Sequence, residues 1–147
     1  MKKYPQLKLD NQLCFPLYAC SKEIVRMYKP ILDPLDLTYT LYLVMMVLWE
    51  KESINIKDLG RQLFLDSGTL TPVVKKLEAK GYITRNRCAD DERCVIVNLT
   101  KEGEKLAESA SAVPCKMSQC SLLDEKDSKE LTRILHKMMD KISVDES

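Results

Sequence analysis

Two thiols lie close together in the apolar stretch NQLCFPLYAC, residues 11–20. Pro16 has no amide hydrogen and fits only the first turn of a helix, so Cys14 is expected at or just before a helix N-terminus. The helix dipole and the free amides at that end favour a thiolate, the form of cysteine that reacts with peroxides. The alternative is a small buried hydrophobic residue, the usual fate of a free cysteine. Cys20 lies inside the same helix and is expected to contribute packing.

The other four cysteines fall into two groups along the chain. Cys88 and Cys94 bracket a polar segment and could pair when oxidised. Cys115 and Cys120, in VPCKMSQC, are candidates to capture a sulfenic acid formed at an oxidised thiol, with two unpaired surface thiols as an equal alternative. Because there is one histidine and no C-x-x-C spacing, the sequence predicts neither a metal site nor a bound cofactor.

A second set of polar residues occurs at helical spacing in SGTLTPVVKKLEAK, whose apolar residues share one face. The other side carries hydroxyls near the N-terminus and lysines further along: Ser67, Thr69, Thr71, Lys75, Lys76 and Lys80. Hydroxyls and free amides at a helix N-terminus suit phosphate oxygens, and lysines neutralise phosphate charge. The whole chain has a net charge of +1, but residues 66–87 hold five basic side chains against two acidic ones. The segment is therefore a candidate DNA-contacting helix.

Two features of this region leave alternatives open. Pro72 fits a first turn, so the helix either begins near Thr69 or bends at Pro72. Arg93 follows the polar tip ADDE and is expected either to enter a minor groove or to pair with a neighbouring aspartate. Arg85 and Arg87 lie before the tip and add to the basic surface.

These residues must be positioned by secondary structure, which we predict from hydrophobic periodicity and capping residues. Helical spacing predicts a first helix over residues 11–33, a buried central helix after Thr38, a short helix over 56–63 after Asn55, and the SGTLTP helix ending at Gly81. The β-branched runs YITRNR and CVIVNL predict a two-stranded hairpin. Two more helices follow, the first of them capped by Thr100.

A helix-turn-helix followed by a hairpin is a winged helix, in which the second helix enters the major groove and the wing lies along the backbone or minor groove. The predicted fold class is therefore mainly α with a small β-hairpin wing. Residues 1–147 are expected to form a single domain, with the winged helix-turn-helix over about 38–100. The terminal segments, about 9–35 and 101–144, show broader apolar stripes than a monomer needs, so we expect them to form a symmetric homodimer.

The composition is that of a globular protein, with 45% apolar and 31% charged residues in a chain of 147. No apolar run approaches the roughly 18 residues of a membrane span, and MKKYPQLKLD lacks the apolar core of a signal peptide. We expect a cytoplasmic location without a membrane partner, where thiols are kept reduced and a disulfide framework is not predicted.

DSGTLTPVVKKLEAKGYITR and DDERCVIVNLTKEG together resemble the MarR family of winged-helix transcription regulators, whose wing signature corresponds here to Asp91, Arg93, Leu99 and Thr100. LDNQLCFPLY and LTYTLYLVMMVLWE are similar to one branch, the organic hydroperoxide resistance regulators, or OhrR type. The likeness covers about residues 9–103. Two positions depart from the branch: Pro16 replaces a small residue, and Cys94 occupies a wing position that is more often basic.

The resemblance implies a homodimeric repressor with interlocking terminal helices that binds a pseudo-palindromic operator in double-stranded DNA. Oxidation of Cys14 by an organic hydroperoxide would release the operator. The resemblance also implies hydroxyls that hydrogen-bond around this thiol, partly from the partner subunit: Tyr18, Tyr28 and Tyr39. By the pattern of two-cysteine members, Cys120 of the partner subunit is preferred over Cys115 as the resolving cysteine.

Three other functions are compatible with the sequence. A MarR-type repressor could instead release DNA on reversible binding of a small aromatic ligand, with Cys14 incidental. A sensitised cysteine beside tyrosines also suits a thiol peroxidase. A DNA-contacting helix and a basic wing serve no purpose in turnover, however, so no enzyme is predicted. The third alternative is a protein-interaction module that has lost DNA binding.

Overall fold

The computed structural model describes residues 3–145, and residues 1, 2, 146 and 147 of the predicted domain lie outside it. The fold is mostly helical with one small sheet, which confirms the predicted class. The helices are α1 (Cys14–Leu32), α2 (Tyr39–Lys51), α3 (Ile56–Leu63), α4 (Ser67–Ala79), α5 (Lys101–Ala110), α6 (Val113–Gln119) and α7 (Glu125–Asp145). The strands are β1 (Ser53–Asn55), β2 (Ile83–Arg87) and β3 (Val95–Leu99).

Helix α1 begins at Cys14, as Pro16 requires. Pro16 is the third residue of the helix, where an amide hydrogen would have had no intrahelical partner. The helix continues through Pro30 and ends at Leu32, and a short 3-10 turn follows over Asp33–Leu35. Of α1, whose residues are all described, only Leu32 is buried. Most of the helix is therefore left uncovered by its own chain.

Helix α2 forms the centre of the core. Thr38 caps it as predicted, because its hydroxyl oxygen accepts a hydrogen bond from the Leu41 amide at 3.4 Å. The side chains of α2 that are 1% exposed or less point to several sides of the helix: Leu41, Val44, Met45 and Leu48. They belong to one cluster with the inner residues of α3, α4 and the sheet. The helix-turn-helix is thus fixed by its inner faces on a single core.

The sheet contains three antiparallel strands in the order β1-β3-β2, one strand more than the predicted hairpin. At the tip of the hairpin, Arg87 lies opposite Val95. On the other edge of β3, Ile54 of β1 lies opposite Val97. A strand of three residues between two helices shows no alternating pattern long enough to detect, so β1 was not predicted.

Helix α4 begins at Ser67, two residues before Thr69, where one of the two alternatives at Pro72 would have started it. Asp66 is its N-cap, since Oδ1 accepts a hydrogen bond from the Thr69 amide at 2.7 Å, and Ser67 is the first helical residue. Pro72 therefore lies in the second turn, where it removes the hydrogen bond to the Gly68 carbonyl. Of the two alternatives at Pro72, the start near Thr69 is therefore wrong, because the capping aspartate outweighs the preference of proline for a first turn, and the bend at Pro72 stays a prediction.

Gly81 ends α4 in the left-handed region with a φ of 78°, as predicted. Its amide donates to the Glu78 carbonyl at 2.9 Å, and the Tyr82 amide donates to the Leu77 carbonyl at 3.1 Å. This turn leads directly into β2. The wing is therefore attached to the end of α4 without a flexible linker.

Three helices follow the hairpin, rather than the two predicted. Thr100 caps α5 as expected, because its hydroxyl oxygen accepts the Gly103 amide at 3.1 Å. The additional helix is α6, which has Pro114 in its first turn and packs against α1. The C-terminal part of the chain thus consists of α5, α6 and the long α7.

The terminal helices expose apolar side chains. Those on α1 and α7 that are 40% or more exposed include Leu17, Ile24, Val25, Leu131, Ile134, Met138 and Ile142. Along the residues of α7 whose side chains are described, only Leu135 is partly buried. Faces of this kind are rare on monomers. Within residues 3–145, no single helix is long and apolar enough to cross a membrane. The segment Cys14–Leu35 and α2 pass that test only together, as a pair bent by 70°.

Candidate nucleic-acid interface and thiol site

The outer face of α4 is polar, as the helical spacing predicted. Its inner face is held by Leu70, Val74 and Leu77, each 2% exposed or less. The predicted contact residues are exposed, except that Thr71 is half-buried: Ser67, Thr69, Thr71, Lys75 and Lys76. Because the inner residues fix the rotation of the helix about its axis, the hydroxyls and lysines form one outward surface.

The N-terminus of α4 is occupied by a carboxylate. Asp66 accepts the Thr69 amide, and the hydrogen bonds from Thr69 hold the pKa of the Asp66 carboxyl below its usual value. Of the backbone amides at this end of α4, that of Thr69 is therefore bonded within the protein and is not free for phosphate. The hydroxyls of Ser67 and Thr69 and the lysines further along are the groups left for an anionic partner.

Two of the basic residues are paired within the protein. Arg85 donates from Nε and Nη2 to Glu78 Oε2 at 2.9 and 2.7 Å, and its amide donates to Oε1 at 3.2 Å. The guanidinium lowers the pKa of the Glu78 carboxyl. Lys80 Nζ pairs with Asp36, beside the turn that follows α1, and lowers the pKa of that carboxyl. Arg85 thus ties β2 to α4, and Lys80 ties α4 to the end of α1.

Four cations of this surface make no ion pair with any group in residues 3–145: Lys75, Lys76, Arg87 and Arg93. The sequence left open whether Arg93 pairs with a neighbouring aspartate. Its backbone amide does donate to Asp91 Oδ1 at 2.9 Å, but its guanidinium makes no ion pair within residues 3–145. The guanidinium is left exposed at the wing tip, beside the exposed carboxylates of Asp90 and Glu92.

The wing tip is closed by a disulfide between Cys88 and Cys94, whose Cα atoms are 5.3 Å apart. Asn55 connects this disulfide to the helix-turn-helix. Its Nδ2 donates to Cys94 Sγ at 3.2 Å, and its Oδ1 caps α3 by accepting the Lys57 amide at 2.8 Å. The sequence left this cysteine pair open, and only the strand register brings the two residues together.

A groove of about 730 Å³ lies between α3, α4 and the wing. Its lining combines apolar side chains with cations: Phe64, Leu65, Leu70, Val95, Arg61, Arg85 and Arg93. Ser67 and Thr71 of α4 form another part of its wall. The outer face of α4 and the wing therefore border one concave surface. Its charged lining also includes Lys57 and the carboxylate of Asp66, and two of its arginines, Arg61 and Arg85, are paired with Asp58 and Glu78.

Cys14 is the first residue of α1, and its side chain is exposed. Tyr18 follows one helical turn later on the same side of the helix. Tyr18 is 64% exposed, and Lys22 Nζ lies 5.7 Å from its ring centroid. The three predicted tyrosines all lie on described helices. Within one protomer, only Tyr18 lies at the Cys14 end of α1.

Tyr28 and Tyr39 form a separate cluster at the other end of α1. Their ring centroids are 4.6 Å apart, and Tyr42, which the sequence analysis missed, lies 6.0 Å from Tyr28. Burial raises the pKa of the Tyr39 and Tyr42 phenols, and the neighbouring Tyr28 adds to the effect. Because Tyr28 follows Cys14 by fourteen helical residues, it lies about 21 Å further along the axis. One protomer does not bring this cluster to the thiol.

The remaining free thiols, Cys20, Cys115 and Cys120, are exposed in the protomer. Cys20 does not pack within its own protomer, because α1 is uncovered at this point, and its packing in a dimer stays a prediction. Cys115 lies in α6, and Cys120 is the C-cap of that helix. The candidate resolving cysteines therefore lie in, or directly after, the helix that packs against α1.

The fold and this surface define a winged-helix DNA-binding protein: a helix-turn-helix of α3 and α4, a wing joined to α4 by a tight turn, and, on one side, cations that make no ion pair within residues 3–145. The family model described as transcriptional regulator SarA/Rot matches residues 26–110. The chain therefore belongs to the SarA/Rot family of transcriptional regulators. The resemblance to MarR-type regulators of the organic hydroperoxide branch is confirmed by the relatives that follow.

The chain is 45% identical over 138 residues to the organic hydroperoxide resistance transcriptional regulator of Bacillus subtilis, with 94% of each chain covered. It is 50% identical over 105 residues to the regulator SarZ of Staphylococcus saprophyticus, covering 71% of this chain and 72% of the relative. These relatives are transcription regulators and not enzymes. The prediction that the chain is not an enzyme is thus confirmed, and the thiol peroxidase alternative is not supported.

Solved structures of the regulator AbfR of Staphylococcus epidermidis have the same fold. Reduced AbfR bound to DNA superposes with a TM-score of 0.75 at 35% identity, covering 95% of this chain and 97% of that chain. AbfR with a disulfide formed superposes with a TM-score of 0.64 at 36% identity, covering 93% and 96%. The chain is thus similar to a regulator that has been observed both on DNA and in an oxidised form.

Proposed function

We propose that the chain is a homodimeric repressor that binds double-stranded DNA through α4 and the wing and releases it when an organic hydroperoxide oxidises Cys14. The observation that carries this proposal is the position of Cys14, which is the first residue of α1 and exposed on a helix that its own chain leaves uncovered. The name of the Bacillus subtilis relative and the disulfide form of AbfR support it.

A symmetric dimer would supply the groups that the protomer lacks around Cys14. The apolar faces of α1 and α7 need a cover, and a second copy offers the same faces. If two α1 helices cross antiparallel on a two-fold axis near Ser21, position 14 lies opposite position 28, since both are seven residues from the axis. Tyr28 of the partner subunit, with Tyr39 of the partner subunit packed on it, would then face the thiol. Tyr18 would approach from the same chain.

The proposed chemistry begins with the Cys14 thiolate, which attacks the outer oxygen of the hydroperoxide. The O–O bond breaks, the alcohol leaves with a proton, and Cys14 becomes a sulfenic acid. The thiol of the partner's Cys120, or a small thiol from solution, attacks this sulfur and releases water to form a disulfide. The new bond would displace the tyrosine hydroxyls and change the spacing of the two α4 helices, so that they no longer match two half-sites.

DNA binding is proposed to use the cations that have no internal partner. Lys75 and Lys76 would neutralise phosphates along the major groove, and Arg87 and Arg93 would contact the backbone and minor groove from the wing. The α4 hydroxyls would contact phosphates or base edges: Ser67, Thr69 and Thr71. Because Arg85 is held by Glu78, its proposed role is to fix the wing on α4.

Cys14→Ser and Cys20→Ser are a matched pair for the test, because both thiols are exposed on α1. The probe is a fluorescein-labelled duplex of about 30 base pairs, long enough for two half-sites, enriched from a random pool on the reduced protein. Cumene hydroperoxide is expected to lower the anisotropy for the unaltered protein and Cys20→Ser, and to leave Cys14→Ser bound.

Release of Cys14→Ser by the hydroperoxide would contradict thiol sensing and favour the reversible-ligand alternative. The intact mass of the treated protein without reductant distinguishes the second step. A covalent dimer that is lost in Cys120→Ser but kept in Cys115→Ser would support Cys120 as the resolving cysteine. A monomer with an added small thiol would support the one-cysteine route.

A further inference from the structure

The two cysteines of the wing tip are direct cross-strand neighbours. Strand β2 ends at Arg87 and β3 begins at Val95, which lie opposite each other, so Cys88 and Cys94 form the next pair of the same register. The Cys88 amide donates to the Cys94 carbonyl at 2.9 Å, and the Cα separation of 5.3 Å is that of a hydrogen-bonded antiparallel pair. This separation also lies within the range that a disulfide spans, so the two sulfurs are within reach of each other.

The surroundings of Cys94 favour reaction at its sulfur. The Asn55 side chain is oriented by its cap on α3, because Oδ1 accepts the Lys57 amide and Nδ2 must then point the other way. Nδ2 donates to Cys94 Sγ at 3.2 Å. In the dithiol state the same donor would stabilise a thiolate at Cys94. Residues 89–93 between the cysteines are all exposed, which gives oxidants and reductants access to the tip.

We propose that Cys88 and Cys94 form a second, reversible redox site, oxidised by organic hydroperoxides, that controls the DNA affinity of the wing. The Cys94 thiolate attacks the outer oxygen of the hydroperoxide, the O–O bond breaks, and the alcohol leaves with a proton. The Cys88 thiol attacks the resulting sulfenic acid, and water leaves as the disulfide forms. Two electrons pass from the two sulfurs to the peroxide, and a small dithiol reverses the reaction by exchange. The inference rests on the proposed DNA binding but not on Cys14.

The disulfide affects DNA binding through Arg93, which lies inside the loop that the disulfide closes. Two hydrogen bonds to Asp91, from the Arg93 and Cys94 amides, shape the tip in either redox state. The disulfide adds a covalent limit on the same segment, so less conformational freedom is lost when Arg93 enters a groove. The oxidised wing therefore binds DNA more tightly than the dithiol wing, by about 3- to 10-fold. This effect is opposite in sign to the release proposed for Cys14.

The test uses a variant in which Cys88 and Cys94 are the only cysteines, made by the four substitutions Cys14→Ser, Cys20→Ser, Cys115→Ser and Cys120→Ser. Cumene hydroperoxide is expected to remove both alkylatable thiols without forming a covalent dimer. The affinity for the enriched duplex should rise about 3- to 10-fold on oxidation and return with dithiothreitol. Each protein is its own reference, because the oxidised and reduced states are compared in one sample.

Two further variants in the same background act as controls. Arg93→Ala should still form the disulfide but lose the change in affinity, whereas adding Cys88→Ser should remove the disulfide and the change together. Two thiols that stay alkylatable after peroxide would overturn the redox step. A disulfide that forms while the affinity stays constant or falls would overturn the control of DNA binding. If no duplex can be enriched, the proposed function fails, and the alkylation assay still decides the redox step.

Discussion

Arg85 and Arg87 offer a direct test of the proposed DNA surface, because they are two residues apart in β2 and have opposite surroundings. Arg85 is tied to Glu78 by three hydrogen bonds. Arg87 is exposed and makes no ion pair within residues 3–145. Binding to DNA releases counterions only for cations that neutralise phosphates, so the two arginines should contribute differently to the salt dependence of the affinity.

The expected magnitude follows from the number of unpaired cations. Lys75, Lys76, Arg87 and Arg93 give about eight cations in a dimer, so the logarithm of the association constant should fall with the logarithm of salt concentration at a slope of about −7. Arg87→Ala removes one cation from each protomer and should make the slope shallower by about 2. The double variant Glu78→Gln/Arg85→Gln removes a charge pair that is already neutral as a unit, so its slope should stay unchanged.

Fluorescence anisotropy titrations of the enriched duplex over a series of salt concentrations give these slopes directly. The double variant is preferred to Arg85→Ala because it leaves no unpaired carboxylate beside the DNA. Equal urea midpoints of the two variants would show that both are folded to the same extent. The reasoning is refuted if the double variant loses as much slope as Arg87→Ala, because the phosphates would then be drawing Arg85 away from Glu78.

Two further predictions concern stability, measured by urea unfolding at fixed protein concentration. Gly103→Ala would place a Cβ against the Tyr82 carbonyl oxygen and should lower the free energy of unfolding by about 2–3 kcal/mol. The control Gly68→Ala, in the first turn of α4, would place a Cβ 3.4 Å from Asp66 Oδ1 and should change the free energy of unfolding by less than about 0.5 kcal/mol. Lys80 lowers the pKa of the Asp36 carboxyl in the folded state. The ionised carboxylate therefore stabilises the fold at any pH above its unfolded pKa of about 3.9, and this stabilisation is lost as the pH falls through the lower folded pKa. Asp36→Asn should therefore be less stable than the unaltered protein near neutral pH and converge with it in acid, and a difference independent of pH would contradict the assignment.

Local rules predicted the helix boundaries on which the thiol site depends. Pro16 located the start of α1, and with it Cys14. The caps at Thr38, Asn55 and Thr100 each have a side-chain oxygen that accepts a backbone amide. These predictions succeed because a cap or a proline acts within about four residues of itself, whatever the rest of the chain does.

Features that depend on distant residues were not predicted. Strand β1 exists because it pairs with β3, where Ser53 bonds to Asn98 across 45 positions. Lys80 forms an ion pair with Asp36, which lies 44 positions earlier in the chain. The disulfide of the wing required the register of β2 and β3 to be known. The N-cap at Asp66 was also missed, although an aspartate before a helix is a local signal. Pro72, six residues later, indicated a later helix start and obscured it.

Formal charge is a poor guide to this DNA surface, because the charges that count are those left after internal pairing. The sequence alone offers six cations from α4 and the wing in each protomer, or about twelve in a dimer, and implies a salt slope of about −11. Two of the six cations are already paired with carboxylates: Arg85 with Glu78 of α4, and Lys80 with Asp36 in the turn after α1. The slope that follows from the structure is about −7. A difference of about 4 is large enough to measure, so the same titration decides whether internal pairing survives in the complex with DNA.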